Sequence, residues 1–301
     1  MPAPDYPSLP SALDAPRKVF ESDSAGYISY YASETGSGRP LVLLHSINAA
    51  PSAMEIKPLF EHYRGQRHVF APDLPGFGFS ERGDRPYSPT LYATAIAEFL
   101  QSVVKQEVDV IALSTTAEFA ARAVPWAAGL IASLAVISPT GLGKREPPSA
   151  VTSERLQRVF GLPLLGEAMY RGLTCKPSIR YFLNLNFEGK VPEQLVDYAY
   201  ATTRQPGARF APFAFLSMKL FSPRARTTLY EPLQVPALVL YDTDPNVAFD
   251  CLPQLLQANH HWRATRIRPS RGLPHWEKLD ETCAALEDFW AGAGAAGSSR
   301  D

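Results

Sequence analysis

The chain has 301 residues, of which 46% are hydrophobic and 20% are charged, so it can bury a large core in one domain with an insertion or in two domains. A formal net charge of −1 and the absence of basic runs argue against binding to nucleic acid or to an anionic membrane surface. No stretch approaches the roughly 18 apolar residues of a membrane span. Cys175, Cys251 and Cys283 are widely spaced and suggest neither a disulfide framework nor a metal-ligand pair, which favours a reducing, cytoplasmic location.

Both ends of the chain read as extensions of a folded core. Residues 1–16 are proline-rich and lack the apolar segment of a signal peptide. Residues 292–301 are mostly small and polar, which predicts a flexible tail.

Short apolar segments alternate with longer helix-like stretches, which predicts an α/β fold with a mostly parallel central sheet flanked by helices. Several segments are continuous hydrophobic runs, as expected for strands that are buried on both faces. The predicted strands are 27–32, 40–45, 67–71, 108–113, 132–138, 236–241 and 264–268. Helices are predicted directly after Ser114 and at 277–290.

The pattern changes over residues 141–232, where strand-like segments disappear and many aromatic residues occur in helical stretches. The strand pattern resumes at "VPALVLYDTD". An insertion of this kind predicts a helical cap over a site, with some aromatics facing a pocket and most forming a second small core.

Polar residues follow several of the predicted strands. "HSINAAPSA" follows 40–45, "PDLPGFGFS" follows 67–71, and Ser114 follows 108–113. "DTDPNV" follows 236–241, and "PSRGLPHWE" follows the last strand. Open α/β sheets bind ligands beyond the carboxyl ends of their strands. A serine, acidic residues and a histidine are therefore expected at one edge of the sheet, in the order Ser…Asp…His that occurs in strand–turn–helix hydrolases.

Over about residues 25–290 the chain resembles the α/β-hydrolase superfamily. The resemblance is carried, in order, by "PLVLLHS", "APDLPGFGFSERGDRPYS", "DVIALSTTAEFA", "VPALVLYDTDPNV" and "LPHWE". It implies the α/β-hydrolase fold, with a core of residues 17–140 and 233–291 and a cap of residues 141–232. It also implies that Asp73 braces the "DLPGFG" loop rather than catalysing.

The resemblance places Ser114 at the nucleophile position of a strained turn between strand and helix. The residues two before and two after such a serine must be small. Ala112 meets this requirement, whereas Thr116 is bulkier than the usual glycine. The alternative is that Ser114 only caps the following helix.

Acyl transfer also needs an oxyanion hole, usually made by two backbone N–H groups. The resemblance assigns these to Thr115 and Ile47. The family commonly has His-Gly where this chain has His45-Ser46, so the turn must keep its shape with a serine. His45, Ser46 and Asn48 are the candidate substrate-binding residues here, and the alternative is that they only shape the loop.

Two carboxylates compete for the role of the acid that orients the histidine. The family's strand end commonly carries Asp-Pro, which favours Asp244 and leaves Asp242 as the alternative. The alternative is that Asp244 only forms the turn, since aspartate before proline is frequent in turns.

His275 is the candidate general base, because no other histidine follows His261. Family members commonly carry two histidines in this loop, and the first is the base. When the loop is aligned on "LPHWE", the place of that first histidine is empty or taken by Gly272, and His275 matches the second, non-catalytic one. The alternative is that His275 braces the start of the last helix.

These residues support two hypotheses. The first is a serine hydrolase with the triad Ser114, His275 and Asp244 that cleaves an ester, thioester or activated C–C bond of a mainly apolar small molecule, without a cofactor or metal. The second is a protein of the same fold with a degraded triad that acts as a ligand-binding protein or as a non-hydrolytic, lyase-like enzyme. A third, a purely structural interaction domain, has no positive support. The sequence does not indicate an oligomeric state.

Overall fold

Eight strands form a single sheet in the order β1-β2-β4-β3-β5-β6-β7-β8 in the computed structural model, which describes residues 9–297. β1 and β2 are antiparallel to each other and β2 is antiparallel to β4, whereas the strands from β4 to β8 in this order pair in parallel. The strands β1 to β8 are Arg17–Ser22, Gly26–Ser33, Leu41–Leu44, Val69–Pro72, Val108–Leu113, Ile131–Ile137, Ala237–Tyr241 and Trp262–Arg266. The α/β-hydrolase fold predicted from the sequence is confirmed.

Helices cover both faces of the sheet and fill the insertion between β6 and β7. The helices α1 to α11 are Lys57–Tyr63, Pro89–Phe99, Thr116–Ala123, Ala150–Phe160, Pro163–Leu173, Lys176–Asn184, Glu193–Thr203, Phe210–Leu216, Leu252–Ala258, Pro274–Glu277 and Leu279–Gly297. Helices α4 to α8 lie within residues 141–232, the cap segment, and no strand occurs there among the described residues.

The central strand β5 is apolar on both faces from Val110 to Leu113. Val110 and Ala112 belong to a cluster that includes residues of α2 and α3, whereas Ile111 and Leu113 belong to one with residues of α1 and α11. Successive side chains of a strand point to opposite faces, so a strand covered by helices on both sides needs apolar residues throughout.

Only the first strand was missed by the sequence pattern. β1 reads "RKVFES", and most of its residues are exposed at the edge of the sheet. Because an edge strand with polar side chains lacks a hydrophobic run, its sequence resembles that of a loop.

The extensions at both ends differ from simple tails. Residues 1–8 of the predicted N-terminal extension lie outside the described residues, but Leu9, Ala12 and Leu13 are buried against the core. At the other end, α11 continues to Gly297, so most of the predicted flexible tail that is described is helical. Residues 298–301 lie outside the described range. Within residues 9–297, no helix combines the length and the apolar character that crossing a membrane requires.

The register of the parallel strands brings their carboxyl ends to one level. Leu44 pairs with Ala112, Leu113 with Ile137, and Ile137 with Leu240. The loops that follow β3, β5 and β7 therefore open at the same edge, beneath the cap segment.

Candidate active site

Ser114 lies in a strained turn between β5 and α3. Its φ is +51°, in the left-handed region that residues other than glycine rarely adopt. The turn is held by the Ser114 N–H, which donates to the Ile137 carbonyl at 2.9 Å, and by the Ser114 carbonyl, which accepts from the Ala117 N–H at 3.1 Å. The chain thus has the backbone geometry of a nucleophile elbow at this position. An N-capping bond from the Ser114 side chain is not part of α3, whose N-cap residue is Thr115.

Thr116, the bulkier residue of the elbow, has a structural role. It is fully buried, and its Oγ1 donates a hydrogen bond of 2.7 Å to the His45 carbonyl. The hydroxyl therefore ties the elbow to the turn after β3, a contact that glycine could not make.

Backbone N–H groups are available beside Ser114. Among the described residues, neither the Ile47 N–H nor the Thr115 N–H donates to a protein acceptor, whereas the Ser46 N–H donates to Glu55 Oε2 at 2.9 Å. Ile47 and Ser114 both line the cavity described below. An oxyanion hole needs two unpaired backbone N–H donors beside the nucleophile, and Ile47 and Thr115 are the two candidates.

His45, which the sequence grouped with Ser46 and Asn48 as a candidate substrate-binding residue, is not among the residues that line the cavity in the described range. Its ring is fully buried, Nδ1 donates to the Ser46 carbonyl at 2.6 Å, and Nε2 accepts from the Leu74 N–H at 2.9 Å. Burial lowers the pKa of His45 to about 4, so the ring is neutral and both nitrogens are engaged. Ser46 and Asn48 do line the cavity.

Glu55 is a polar residue of the site that the sequence did not indicate. It is 4% exposed, its Oε2 accepts from Ser46, and its Oε1 accepts from Asn48 Nδ2 at 2.8 Å. Burial raises the pKa of its carboxyl, and the bonds from Ser46 and Asn48 oppose this. Glu55 lies in a short helical turn, Ala53–Ile56, with no motif to single it out.

The two candidate acids occupy different environments. Asp244 lines the cavity, and its Oδ1 accepts from the N–H groups of Asn246 and Val247 at 2.7 and 3.0 Å. Burial raises the pKa of Asp244 to about 6, although these two bonds lower it. Asp242 instead contacts Arg266 Nε at 2.5 Å and accepts from the Ser270 N–H at 3.1 Å. Asp242 braces the last loop outside the cavity.

The structure does not bring His275 to Ser114 or Asp244. The His275 ring is fully buried, and its Nε2 donates to the Glu55 carbonyl at 2.8 Å. Trp276 Nε1 donates to the same carbonyl at 2.6 Å, and His275 Nδ1 has no partner among the described residues. Because α10 begins directly at Pro274, its first turn directs His275 towards the Glu55 turn. This placement corresponds to the structural alternative and corrects the expected contact with both other members of the triad.

Gly272 lies where a side chain would reach Asp244. An ideal Cβ on Gly272 would lie 2.8 Å from Asp244 Oδ2 and 2.6 Å from Asn186 Oδ1. Gly272 and Asp244 both line the cavity, and none of the cavity-lining residues within the described range is a histidine. The alignment on "LPHWE" left the place of the first histidine empty or taken by Gly272, and Gly272 lies beside Asp244.

A cavity of about 310 Å³ separates Ser114 from the cap segment. Its apolar wall comes largely from cap helices α5, α6 and α8, through Leu173, Ile179, Phe182, Leu183, Phe215 and Leu216. Its polar groups are at the sheet edge, apart from Asn186 of the cap segment. Among the described residues, no group of His, Cys, Asp and Glu could hold a metal ion.

Replacing His275 with glutamine is expected to change how stability depends on pH. Burial lowers the pKa of His275 to about 4, below its ordinary value of 6.5, so the unfolded chain binds the proton more readily. The free energy of unfolding therefore falls as the pH drops through 6.5 towards 4. Between pH 7 and pH 5, wild type should lose about 2 kcal/mol relative to His275→Gln. Urea unfolding of both proteins at the two pH values measures this difference, and a difference independent of pH would contradict the buried, neutral state of His275.

Comparison with known proteins identifies the family. The sequence profile described as "Alpha/beta hydrolase family" matches residues 41–285, which is most of the chain. A search among curated proteins returned no significant match.

Solved structures of similar fold cover nearly the whole chain at low identity. A thermophilic esterase from Thermogutta terrifontis is 18% identical, with 93% of this chain and 99% of that chain covered and a TM-score of 0.69. The enol-lactonase from Burkholderia xenovorans LB400 is 14% identical, with coverages of 91% and 100% and a TM-score of 0.71. A meta-cleavage product hydrolase from Pseudomonas fluorescens IP01 is 16% identical, with coverages of 92% and 98% and a TM-score of 0.71. The matched profile, the sheet order and the elbow at Ser114 agree: this chain belongs to the alpha/beta hydrolase family.

Proposed function

We propose that this chain binds a mainly apolar small molecule between Ser114 and the cap segment, and that it does not hydrolyse esters through a Ser-His-Asp triad. The observation that carries this proposal is that no histidine lines the cavity among residues 9–297, the part of the chain that the structure describes. Glycine stands at position 272, beside Asp244, and His275 is bonded to the Glu55 carbonyl away from the cavity.

A serine hydrolase is expected to lose most of its activity without a histidine base. A serine hydroxyl is a weak nucleophile until an adjacent base removes its proton. In a serine protease, loss of the triad histidine costs about 10⁶-fold in kcat. Oxyanion donors recover only part of this loss in rate, because they stabilise the charge that develops once attack has begun. The strained turn positions Ser114 but does not remove its proton.

The lining of the cavity supports a small apolar ligand. Cap helices supply leucine, isoleucine and phenylalanine side chains, and a cavity of about 310 Å³ is at the lower end of the range of ligand pockets. In this proposal residues 141–232 act as a cap that covers the ligand, and the polar groups at the sheet edge orient it.

A second candidate is a serine hydrolase that cleaves an ester, thioester or activated C–C bond. It is favoured by the strained φ of +51° at Ser114 and by the unpaired N–H groups of Ile47 and Thr115. Backbone strain at a non-glycine residue persists only when its surroundings enforce it, and it concentrates at functional sites. The names of the esterase, the enol-lactonase and the meta-cleavage product hydrolase agree with such chemistry.

Ester turnover distinguishes the two candidates. Wild type and Ser114→Ala should hydrolyse p-nitrophenyl acetate and butyrate at the same slow rate, and a fluorophosphonate probe should label neither above background. A catalytically competent serine esterase serves as the positive control. Turnover or labelling that disappears in Ser114→Ala would refute the proposal and support the second candidate.

A further inference from the structure

We propose that the ligand presents a cationic hydrogen-bond donor, such as a protonated amine, to Asp244 and Asn186 over Gly272, and that the cavity rejects anions. This inference rests on the proposed binding function and names the class of ligand.

The two oxygens of Asp244 are used unequally. Oδ1 accepts from the N–H groups of Asn246 and Val247. No hydrogen bond reaches Oδ2 from any described residue, and Oδ2 faces the space over Gly272, 2.8 Å from where a Cβ would stand. A half-buried carboxylate oxygen without a donor gains strongly from one, because hydrogen bonds to ionised groups are among the stronger kind.

Asn186 presents a second acceptor to the same space. Its Nδ2 donates to the Phe182 carbonyl at 3.0 Å, which orients the amide within the cap segment. Its Oδ1 lies 2.6 Å from the Cβ position of residue 272, and its protein contact is a long one of 3.5 Å from Asn246 Nδ2. Two acceptor oxygens thus converge over Gly272, and a group that donates hydrogen bonds complements both.

The negative charge of the cavity excludes anionic ligands. Its charged lining residues are Glu55 and Asp244, and no lysine, arginine or histidine is among the lining residues in the described range. The pKa of Asp244, raised by burial to about 6, leaves this carboxyl mostly ionised at pH 7.5. A carboxylate or phosphate on the ligand would meet negative charge without a compensating cation, which is costly in a low-dielectric cavity.

The test compares three probes that share one apolar body, namely 2-phenylethylamine, 2-phenylethanol and phenylacetate. Binding to the full wild-type chain is measured by NMR titration at pH 7.5, and none of the three probes contains an ester that could be hydrolysed. The amine should bind at least about tenfold more tightly than the alcohol. Phenylacetate should show no binding at concentrations up to about 10 mM.

Two variants assign the preference to Asp244. Asp244→Asn keeps an oxygen for the N–H groups of Asn246 and Val247 but removes the charge, and it should reduce the preference for the amine to less than about threefold. Asp250→Asn changes an exposed carboxylate in the same loop between β7 and α9, and it should leave the preference for the amine intact. Unchanged preference in Asp244→Asn overturns the inference, as does equal or tighter binding of phenylacetate. Absence of any preference for the amine, whether the probes bind alike or not at all, overturns it too. Ester turnover by wild type would refute the proposed function alone.

Discussion

Gly272→His is expected to raise hydrolysis of p-nitrophenyl butyrate at least about 100-fold above wild type, because it supplies the missing base beside Asp244. The backbone at Gly272 is outside the left-handed region, so an L residue can adopt it. A Cβ there approaches Asn186 Oδ1 and Asp244 Oδ2, which are both ends of side chains and can shift. Ser114 and Ile47 already line the same cavity.

Three matched variants isolate the effect of the new histidine. Gly272→Asn fills the same space without a base and should stay at the wild-type rate. Gly272→His combined with Ser114→Ala should lose the gain. Gly272→His combined with Asn186→Ala gives the ring more room and should equal or exceed the single variant. If neither histidine variant shows Ser114-dependent turnover while circular dichroism shows the native fold, the vacancy at position 272 does not explain the missing activity.

Gly78→Ala should lower the free energy of unfolding by at least about 3 kcal/mol, because two costs combine at this position. Gly78 has a φ of +52°, and a Cβ there would lie 1.9 Å from Asp73 Cγ. Asp73 cannot retreat without breaking the hydrogen bonds that its carboxylate accepts from the N–H groups of Ala53 and Phe79, at 3.2 and 2.9 Å. Each buried N–H left without an acceptor costs about 1–3 kcal/mol. The left-handed conformation adds about 1–2 kcal/mol for alanine.

Gly38→Ala is the matched control. Gly38 also has a positive φ, +80°, but a Cβ there meets no atom within 4 Å. This variant should lose only the backbone cost of about 1–2 kcal/mol. Urea unfolding of wild type and both variants measures the difference, which reports the clash with Asp73. Equal losses in Gly78→Ala and Gly38→Ala would show that Asp73 does not brace the loop in the way its hydrogen bonds indicate.

Local pattern was sufficient for the sheet and for the elbow. Strands such as β3 and β5 are buried on both faces, so burial itself imposes a continuous hydrophobic run that can be read without coordinates. Ser114 was recognisable because a strand and a helix meet there and because the family resemblance places the nucleophile at that turn. The edge strand β1 was missed because exposure removes that signal.

Sequence alone could also place Asp244, Gly272 and His275 in the loops at one edge of the sheet, and it favoured His275 as the base, with a histidine that only braces the last helix as the alternative. Only the tertiary structure shows the contact of His275, whose Nε2 donates to the Glu55 carbonyl. The direction of the His275 ring depends on the Glu55 carbonyl, which is 220 positions away along the chain and carries no motif. Asn186 faces Gly272 for the same kind of reason, since the cap segment is far from the last loop in sequence. Hydrophobic periodicity reports burial, because a buried position requires an apolar side chain that the sequence shows directly. The direction of a loop side chain depends instead on the distant segment that packs against it.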